Sequence, residues 1–285
     1  MPSFFRQLTK SKPLALLLLV VLSLSGGMPV LADTNAEAQA AFASGDYRRA
    51  REIWTELSDN GDPVAQFNLG VLYDEGLGIP ADPAKARSLW QRAATAGLTR
   101  AVHNLALLEI DQASQGKGDL KAARALLEQA AEAGHSSARY SLGKMYEYGL
   151  GVDADATVAV QHISVAAEAG LPRAQYSMGK IYRDGAGIEP DEARSLAWFE
   201  RAARAGHAGG QGHFARRLAT QDTETARIEA FSFALLAVRA GNEAALQIAD
   251  DLKDRMNVTA LDRAFALAGD FRPETTTGPL APAGD

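Results

Sequence analysis

The chain has 285 residues, of which 47% are hydrophobic, and its formal net charge is −6. This composition supplies enough apolar material for a sizeable core, and the acidic balance gives the protein as a whole no electrostatic reason to bind nucleic acid or anionic lipid. Cysteine is absent, which excludes disulfides, thiol catalysis and a thioether-linked lipid anchor.

The first 32 residues have the pattern of a secretory signal peptide. Arg6, Lys10 and Lys12 precede an almost uninterrupted apolar run, Leu14 to Leu24, and small or tolerated residues lead up to Ala32. The run is short for a membrane-spanning helix, which needs roughly 20 residues. We therefore expect cleavage after Ala32 and a periplasmic mature chain, with a retained N-terminal anchor as the alternative. Loss of the three basic residues of this leader would leave 26 basic against 35 acidic residues, a net charge of −9.

Residues 33–60 are predicted to form a helix pair, with one helix over 35–44 and the next over 46–59. From Gly61 onward a unit of about 36 residues recurs, and it opens again at Gly97, Gly134, Gly170, Gly206 and, weakly, Gly241. A fixed period in this range is typical of helical hairpins that bury their apolar faces against neighbouring copies. The period predicts five repeats: 61–96, 97–133, 134–169, 170–205 and 206–240.

The first repeat shows how each unit is built. Asp62 and Pro63 are suited to the N-cap and first turn of a helix, and apolar residues then follow at spacings of three and four. Gly76 can adopt the left-handed conformation that ends a helix. Asp82 and Pro83 then repeat the start signal for the second helix of the pair.

Two repeats and both ends of the array depart from this pattern. The repeat at 97–133 has no glycine loop after its first helix and is one residue longer, so we expect that helix to run on by a turn. In the repeat at 206–240, Asp222-Thr223 is the predicted cap of the second helix. Residues 241–270 are predicted to be C-terminal capping helices, over 242–255 and 259–268, and 271–285 a disordered tail.

The repeated pattern, Ala-x-x-x-Leu-Gly-x-x-Tyr-x-x-Gly-x-Gly followed by an Ala-Ala pair and Gly, resembles the Sel1-like repeat, a relative of the tetratricopeptide repeat. The resemblance is strong over 61–206 and weak over 207–240. The turn at 45–50 of the preceding pair resembles the tetratricopeptide form. The resemblance implies an all-α fold: a right-handed superhelical solenoid of about seven antiparallel helix pairs over 33–270.

The residue types that carry catalysis or bind metals do not occur in productive patterns. The five histidines lack the spacing of a zinc site, and no nucleophile elbow is present. Asp153 and Asp155 alternate beside a glycine loop but lack the other ligands of a calcium loop. Trp54, Trp90 and Trp198 recur on second helices at positions that other repeats fill with aliphatic residues, which predicts core packing. No catalytic residue, cofactor or metal is expected.

One face of the first helices is the candidate binding site. Two residues before or after the core residue lies the opposite side of the helix, and the resemblance implies that this side lines the concave surface. Its first half is predicted to be apolar and amide-bearing, and its second half to mix aromatic rings with cations that suit an acidic peptide or an anionic polysaccharide. As the alternative, the rings pack between repeats and the lysines are simply solvated. The predicted partner-binding residues are Phe67, Asn68, His103, Asn104, Tyr140, Lys144, Arg173, Tyr176, Lys180, Arg183 and Arg216.

The main functional hypothesis is a non-enzymatic exported adaptor that binds a protein partner of the cell envelope along the concave face. The resemblance implies roles in scaffolding, in envelope polysaccharide assembly and in control of membrane sensor kinases that govern exopolysaccharide production. A carbohydrate-binding component of exopolysaccharide assembly or export is the second hypothesis. A hydrolase of the penicillin-binding type is the third, and it is disfavoured because such relatives have a cysteine bridge in each repeat. No nucleic-acid partner is expected, nor a membrane span in the mature chain.

Overall fold

The computed structural model of the chain describes residues 29–274, so most of the predicted leader and residues 275–285 lie outside the described part. Within 29–274 the chain forms 14 α-helices and one short 3₁₀-helix, with no strand. The predicted all-α class is therefore confirmed. The helices fall into two units, one ending at His135 and the other beginning at Ser136.

The first unit contains three helix pairs, each joined by a short connection. The first helix extends across the predicted cleavage position. The six helices are α1 (Pro29–Ala43), α2 (Tyr47–Asp59), α3 (Pro63–Glu75), α4 (Pro83–Thr95), α5 (Thr99–Ser114) and α6 (Leu120–Glu132).

The second unit continues the same alternation and ends in two helices that both pack against α12. A 3₁₀ turn, Glu243–Ala245, precedes the first of these two. The eight helices are α7 (Ser136–Tyr148), α8 (Ala156–Glu168), α9 (Pro172–Asp184), α10 (Glu192–Arg204), α11 (Ala208–Leu218), α12 (Glu224–Arg239), α13 (Leu246–Lys253) and α14 (Val258–Asp270).

The helix boundaries follow the capping residues that the sequence offers. The Asp62 side chain accepts a hydrogen bond from the Ala65 amide at 2.7 Å, and Gly76 ends α3 with a φ of 66°. Thr223 caps α12 in the same way, accepting from the Ala226 amide at 3.2 Å. These predicted starts and stops are confirmed. The side chains of Asp62 and Thr223 replace a backbone partner that a helix start lacks, and Gly76 adopts the left-handed conformation that ends a helix.

The second helices supply the large core residues. Trp54, Trp90 and Trp198 are 2, 2 and 3% exposed, which confirms that the tryptophans fill the core. The indole N–H of Trp90 donates to the Phe67 carbonyl at 3.1 Å and so joins α4 to α3. The equivalent aliphatic residue of another repeat, Ile163, has no exposed surface at all.

Close approach between paired helices explains the glycine that follows the core residue in α3, α7 and α9. A Cβ built on Gly179 would lie 2.6 Å from the Phe199 ring, and one on Gly143 would lie 2.8 Å from Ile163. Since real Cβ atoms do not approach other atoms so closely, any larger residue would push the two helices of the pair apart. The glycine of these three repeats is therefore required by packing, whereas α5 and α11 have Ala106 and Ala215 at this position.

The long repeat differs where the sequence predicts a difference. Helix α5 has 16 residues, whereas α3 has 13, so the expected extra turn is confirmed. Arg87 of α4 forms an ion pair with Glu109, and its guanidinium also donates to the Gln112 side chain at 2.7 Å. Glu109 in turn accepts from the Asp119 amide at 3.2 Å. These contacts fasten the connection that replaces the glycine loop.

The end of the second unit is closed by residues that follow α14. The Phe271 ring lies edge-on to Phe233 at 6.0 Å, and the Glu274 amide donates to the Arg204 carbonyl at 2.9 Å. Residues 271–274 of the predicted tail are thus packed against α12 and α10. Among the described residues, no helix is both long and apolar enough to cross a membrane.

Candidate functional site

The predicted face of the first helices is not uniformly accessible. His103, Tyr140 and Lys144 are only 7, 4 and 5% exposed, respectively. For these three residues the expected exposure is corrected, because contacts within their own unit cover them. Lys180, Arg183 and Arg216, in contrast, are exposed on α9 and α11.

In two repeats a guanidinium covers the ring of the predicted site. The Arg100 guanidinium lies 4.5 Å from the centre of the Phe67 ring in the first unit, and that of Arg173 lies 5.1 Å from the centre of Tyr140 in the second. In both cases the arginine comes from the start of the following repeat. Burial lowers the pKa of Arg173, and the Tyr140 hydroxyl shares a 3.1 Å hydrogen bond with the Ser177 hydroxyl.

In the other two repeats the covering group is an imidazole. The rings of His103 and His135 lie 4.9 Å apart in the first unit. In the second unit His207 stacks on Tyr176, with centres 4.4 Å apart and planes 20° from parallel. The aromatic position thus contacts the next repeat in all four cases, which favours the packing interpretation for the rings themselves.

Lys144 is neutralised within its own helix. Its ammonium forms an ion pair with Glu147, one turn later on α7, and lies 4.6 Å from the centre of the Tyr148 ring. A cation that is buried and paired in this way is not available to a partner. The structure therefore removes Lys144 from the accessible surface that the sequence predicted.

We call the exposed residues Lys180, Arg183 and Arg216, with the half-buried rings of Tyr176 and His213, the basic surface. Arg183 forms a 2.7 Å ion pair with its neighbour Asp184. Lys180 and Arg216 form no ion pair with any residue in the described range 29–274. Two carboxylates lie nearby: Asp184, and Glu147 of α7, which is paired with Lys144. Four cations therefore accompany two carboxylates, and the surface has a net positive charge.

The electrostatics of His213 show that these cations surround one point. Its ring stacks on Phe199, with centres 4.2 Å apart and planes 6° from parallel. Burial lowers the pKa of His213, and the charges of Arg183, Arg216 and Lys180 lower it further. Cations from two consecutive first helices therefore converge on this imidazole. His213 is not among the predicted partner-binding residues, although it lies three residues before Arg216.

His207 has a structural role at the start of α11. Its Nδ1 accepts a hydrogen bond from the Gly210 amide at 3.2 Å, which makes the imidazole the N-cap of the helix. Burial lowers its pKa to about 4. The ring is therefore neutral near pH 7, as a hydrogen-bond acceptor at this position must be. No cluster of three or more potential metal ligands occurs in the described part of the chain.

A small open cleft lies beside Lys180, between α7, α8 and α9. Val160, Ala156 and Ala186 give it an apolar wall, and Lys144, Glu147, Lys180 and Asp184 supply charged groups. This cleft was not predicted from the sequence, because its lining comes from helices that are separated along the chain. The sequence does contain one signal of it: charged Lys180 and Asp184 lie within about one helical turn of the aliphatic Ile181.

The corresponding face of the first unit has different chemistry. Asn68 on α3 and Asn104 on α5 are half-exposed, so both amides are partly accessible on this face. Asp74 occupies the position in the repeat at 61–96 that Arg183 occupies in the repeat at 170–205. Burial, and then the charges of Glu75 and Asp111, raise the pKa of Asp74 to about 6.

The Sel1 repeat family model matches four consecutive segments of the chain. The matched residues are 63–98, 100–135, 136–171 and 172–207, which together make up just over half of the sequence. The matches lie about two residues after the repeat boundaries that the glycines suggest. Comparison with curated protein sequences gives no match.

Solved structures share the fold at low sequence identity. A protective antigen of uropathogenic Escherichia coli with an SLR fold has a TM-score of 0.63 and 20% identity over 90% of this chain. The match spans 58% of the antigen's own length. A Sel1 repeat protein from Oxalobacter formigenes has a TM-score of 0.60 and 24% identity, covering 77% of this chain and 97% of that one. An immunity protein from Pseudomonas aeruginosa has a TM-score of 0.54 and 20% identity, covering 78% and 86%.

Proposed function

Because the chain belongs to the Sel1 repeat family, whose fold is a protein-interaction scaffold, we propose that it is a non-enzymatic adaptor that binds a protein partner on the basic surface of α9 and α11. The observation that carries this proposal is the exposure of Lys180 and Arg216 without an ion-pair partner among the described residues. Lys144, at the equivalent position one repeat earlier, is buried and paired.

The fold accounts for the other prominent residues of the predicted site. Tyr140 packs under Arg173, and Tyr176 packs under His207. Among the described residues Lys180 and Arg216 form no ion pair, and Arg183 pairs with its exposed neighbour Asp184. Removal of such surface charges typically changes stability by no more than about 0.5 kcal/mol. Their placement on one surface of an acidic protein is therefore better explained by recognition than by folding.

We also propose an exported location, since residues 1–32 have the pattern of a signal peptide. In the cell envelope, an adaptor of this kind could assemble polysaccharide machinery or restrain a membrane sensor kinase that controls exopolysaccharide production, as the family resemblance implies. Fractionation followed by N-terminal sequencing tests the location. The proposal expects a periplasmic chain that begins at Asp33, and a cytoplasmic chain that begins at Met1 would contradict it.

The binding proposal is tested by capture of envelope proteins with three forms of the tagged full chain. The first is the parent, the second carries Lys180→Glu with Arg216→Glu, and the third carries Lys121→Glu with Arg217→Glu. The third form is a matched control, because Lys121 and Arg217 are also exposed and the charge change is the same. We expect a specific protein to be captured by the parent and the control and lost from the second form.

Other results would change the assignment. Equal capture by all three forms would place the interface elsewhere on the chain. Capture of acidic polysaccharide without any protein would favour the carbohydrate-binding alternative. Hydrolysis of nitrocefin by the purified chain would contradict the non-enzymatic proposal, for which we expect no turnover.

A further inference from the structure

The chemistry of the basic surface narrows the class of partner, provided that the proposed function holds. Two positions one turn apart on the first helix change their combined charge between consecutive repeats. On α7 they are Lys144 and Glu147, which neutralise each other. On α9, exactly one repeat period of 36 residues later, they are Lys180 and Arg183, both cations. Repulsion between like charges replaces an internal ion pair.

The carboxylate nearest to these cations does not prevent binding of another anion. Asp184 and Arg183 are adjacent in sequence, and both side chains are nearly half exposed. An ion pair this exposed contributes little to stability and can exchange partners readily. Arg216 from α11 adds a third cation close to His213. The surface is thus complementary to a ligand with several carboxylates.

The cleft beside Lys180 favours a partner that also carries an aliphatic side chain. Its accessible apolar wall is formed by half-buried Val160 and the exposed Ala156 and Ala186. Lys144, Glu147 and Asp184 also line it. A peptide can place a leucine or similar side chain there while neighbouring carboxylates reach the cations. A polysaccharide has no aliphatic side chain to bury, so the cleft favours a peptide over a glycan.

We propose that the partner is recognised through an acidic peptide segment, whose carboxylates contact Lys180, Arg183 and Arg216 and whose aliphatic side chain enters the cleft beside Lys180. Charge complementarity orients the segment, and burial of the side chain fixes its register along α9.

The test uses a fluorescently labelled peptide of about eight Glu and Asp residues with one central Leu, bound to the purified full chain and followed by anisotropy. We expect Lys180→Glu with Arg216→Glu to weaken binding at least tenfold. Arg217→Glu should change it less than twofold, because Arg217 is on the same helix and its guanidinium contacts Thr220 instead. A peptide with Ser in place of Leu should bind several-fold more weakly, and binding should weaken as salt is raised.

His213 supplies a second readout that is independent of the label. The groups that face it are Lys180, Arg183 and Tyr176 from α9, Arg216 from α11 and the uncharged Phe199 from α10. Bound carboxylates would offset the three cations, so the pKa of His213 should rise on peptide addition. NMR titration of the imidazole measures this directly.

Three results would overturn the inference: unchanged affinity in the double variant, an equal loss in Arg217→Glu, or competition by an alginate oligomer of equal charge as effective as the peptide. Failure here is distinguishable from failure of the proposed function. If an envelope protein is captured by the parent and lost from the Lys180/Arg216 variant while the acidic peptide does not bind, the scaffold assignment stands and only the peptide inference fails.

Discussion

The repeats at 134–169 and 170–205 place the same kinds of residue at the same positions and use them differently. In the earlier repeat Tyr140 is buried and covered by Arg173. In the later one Tyr176 is half-buried and covered by His207. One turn further along each helix, the repeat at 134–169 has Lys144, which is paired with Glu147. The repeat at 170–205 has the exposed Lys180 there.

This difference shows which positions the fold requires and which it leaves open. The alanine pairs and the large residues of the second helices are fixed by close packing, so they recur in the four matched repeats. The cation position is buried in one repeat, at Lys144, and exposed in the next, at Lys180. The residue three positions later differs as well: Glu147 pairs with Lys144, whereas Arg183 adds a second cation beside Lys180.

Substitution of the two tyrosines is the strongest way to test the comparison. Tyr140→Ala should reduce the free energy of unfolding by about 4 kcal/mol, and Tyr176→Ala by about 2 kcal/mol, because only Tyr140 is fully enclosed. Urea unfolding followed by circular dichroism measures both. Tyr140→Phe is the matched control, since it keeps the ring and loses only the hydrogen bond to Ser177, worth about 1 kcal/mol. Equal losses for the two alanine variants would refute the distinction.

The paired lysines provide the next largest effect. Lys144→Glu should cost about 3 kcal/mol of stability, because it buries a carboxylate beside Glu147. Lys180→Glu should change stability by no more than about 0.5 kcal/mol, as an exposed substitution. Thermal unfolding of the two variants at one pH makes the comparison. A destabilising Lys180→Glu would mean that α9 needs this cation for folding.

The pH dependence of stability distinguishes the two groups that cover the tyrosines. The unfolded imidazole of His207 protonates near pH 6.5, and the folded one only near pH 4. Between these values the unfolded state binds the proton and the folded state does not, so stability falls as the pH is lowered through this window. The loss reaches about 3 kcal/mol and levels off below pH 4.

His207→Asn is the control, because asparagine keeps an N-cap acceptor and does not titrate. The difference in unfolding free energy between about pH 7 and pH 4.5 should shrink in this variant. An unchanged difference would assign the pH dependence to other groups. Arg173, which covers Tyr140, carries its charge throughout this range and should contribute no such slope.

Asp74 extends the comparison to the first unit, with the opposite sign. Its pKa is about 6 in the folded protein and 3.8 ordinarily, so the folded state binds the proton more tightly than the unfolded state. Stability therefore falls as the pH rises from about 4 to 6. Asp74→Asn should raise the unfolding free energy at pH 7 by about 2 kcal/mol, allowing for the partial exposure of the group. A stability gain at pH 4 as large as that at pH 7 would contradict this cause.

Much of the fold could be predicted from the sequence, because each local signal has one physical meaning. Asp62 and Thr223 are suited to the start of a helix and Gly76 to its end, whatever packs around them. The 36-residue period requires stacked hairpins, and the missing glycine loop after Leu108 requires a longer α5. The packing of Phe271 against α12 was not predicted, because an isolated aromatic residue in a Pro- and Thr-rich segment has no periodicity.

The candidate site was less predictable, because helical periodicity locates a face and does not show what covers it. Arg100 and Arg173 lie at the start of the repeat after the ring that each covers, and a sequence separation of 33 residues has no local signature. The Lys144–Glu147 pair is the exception. Its spacing of three residues on a helix already indicates an ion pair. This spacing distinguishes Lys144 from Lys180, which has Arg183 three residues later.

Lysine acetylation followed by mass spectrometry tests the central claim most directly, with the free chain and with the chain bound to the envelope protein it captures. In the free chain Lys180 should react readily and Lys144 slowly. In the complex Lys180 should become protected, while Lys121 and Lys253, which are exposed on other helices, remain reactive. Equal reactivity of Lys144 and Lys180 in the free chain, or an unprotected Lys180 in the complex, would contradict the account.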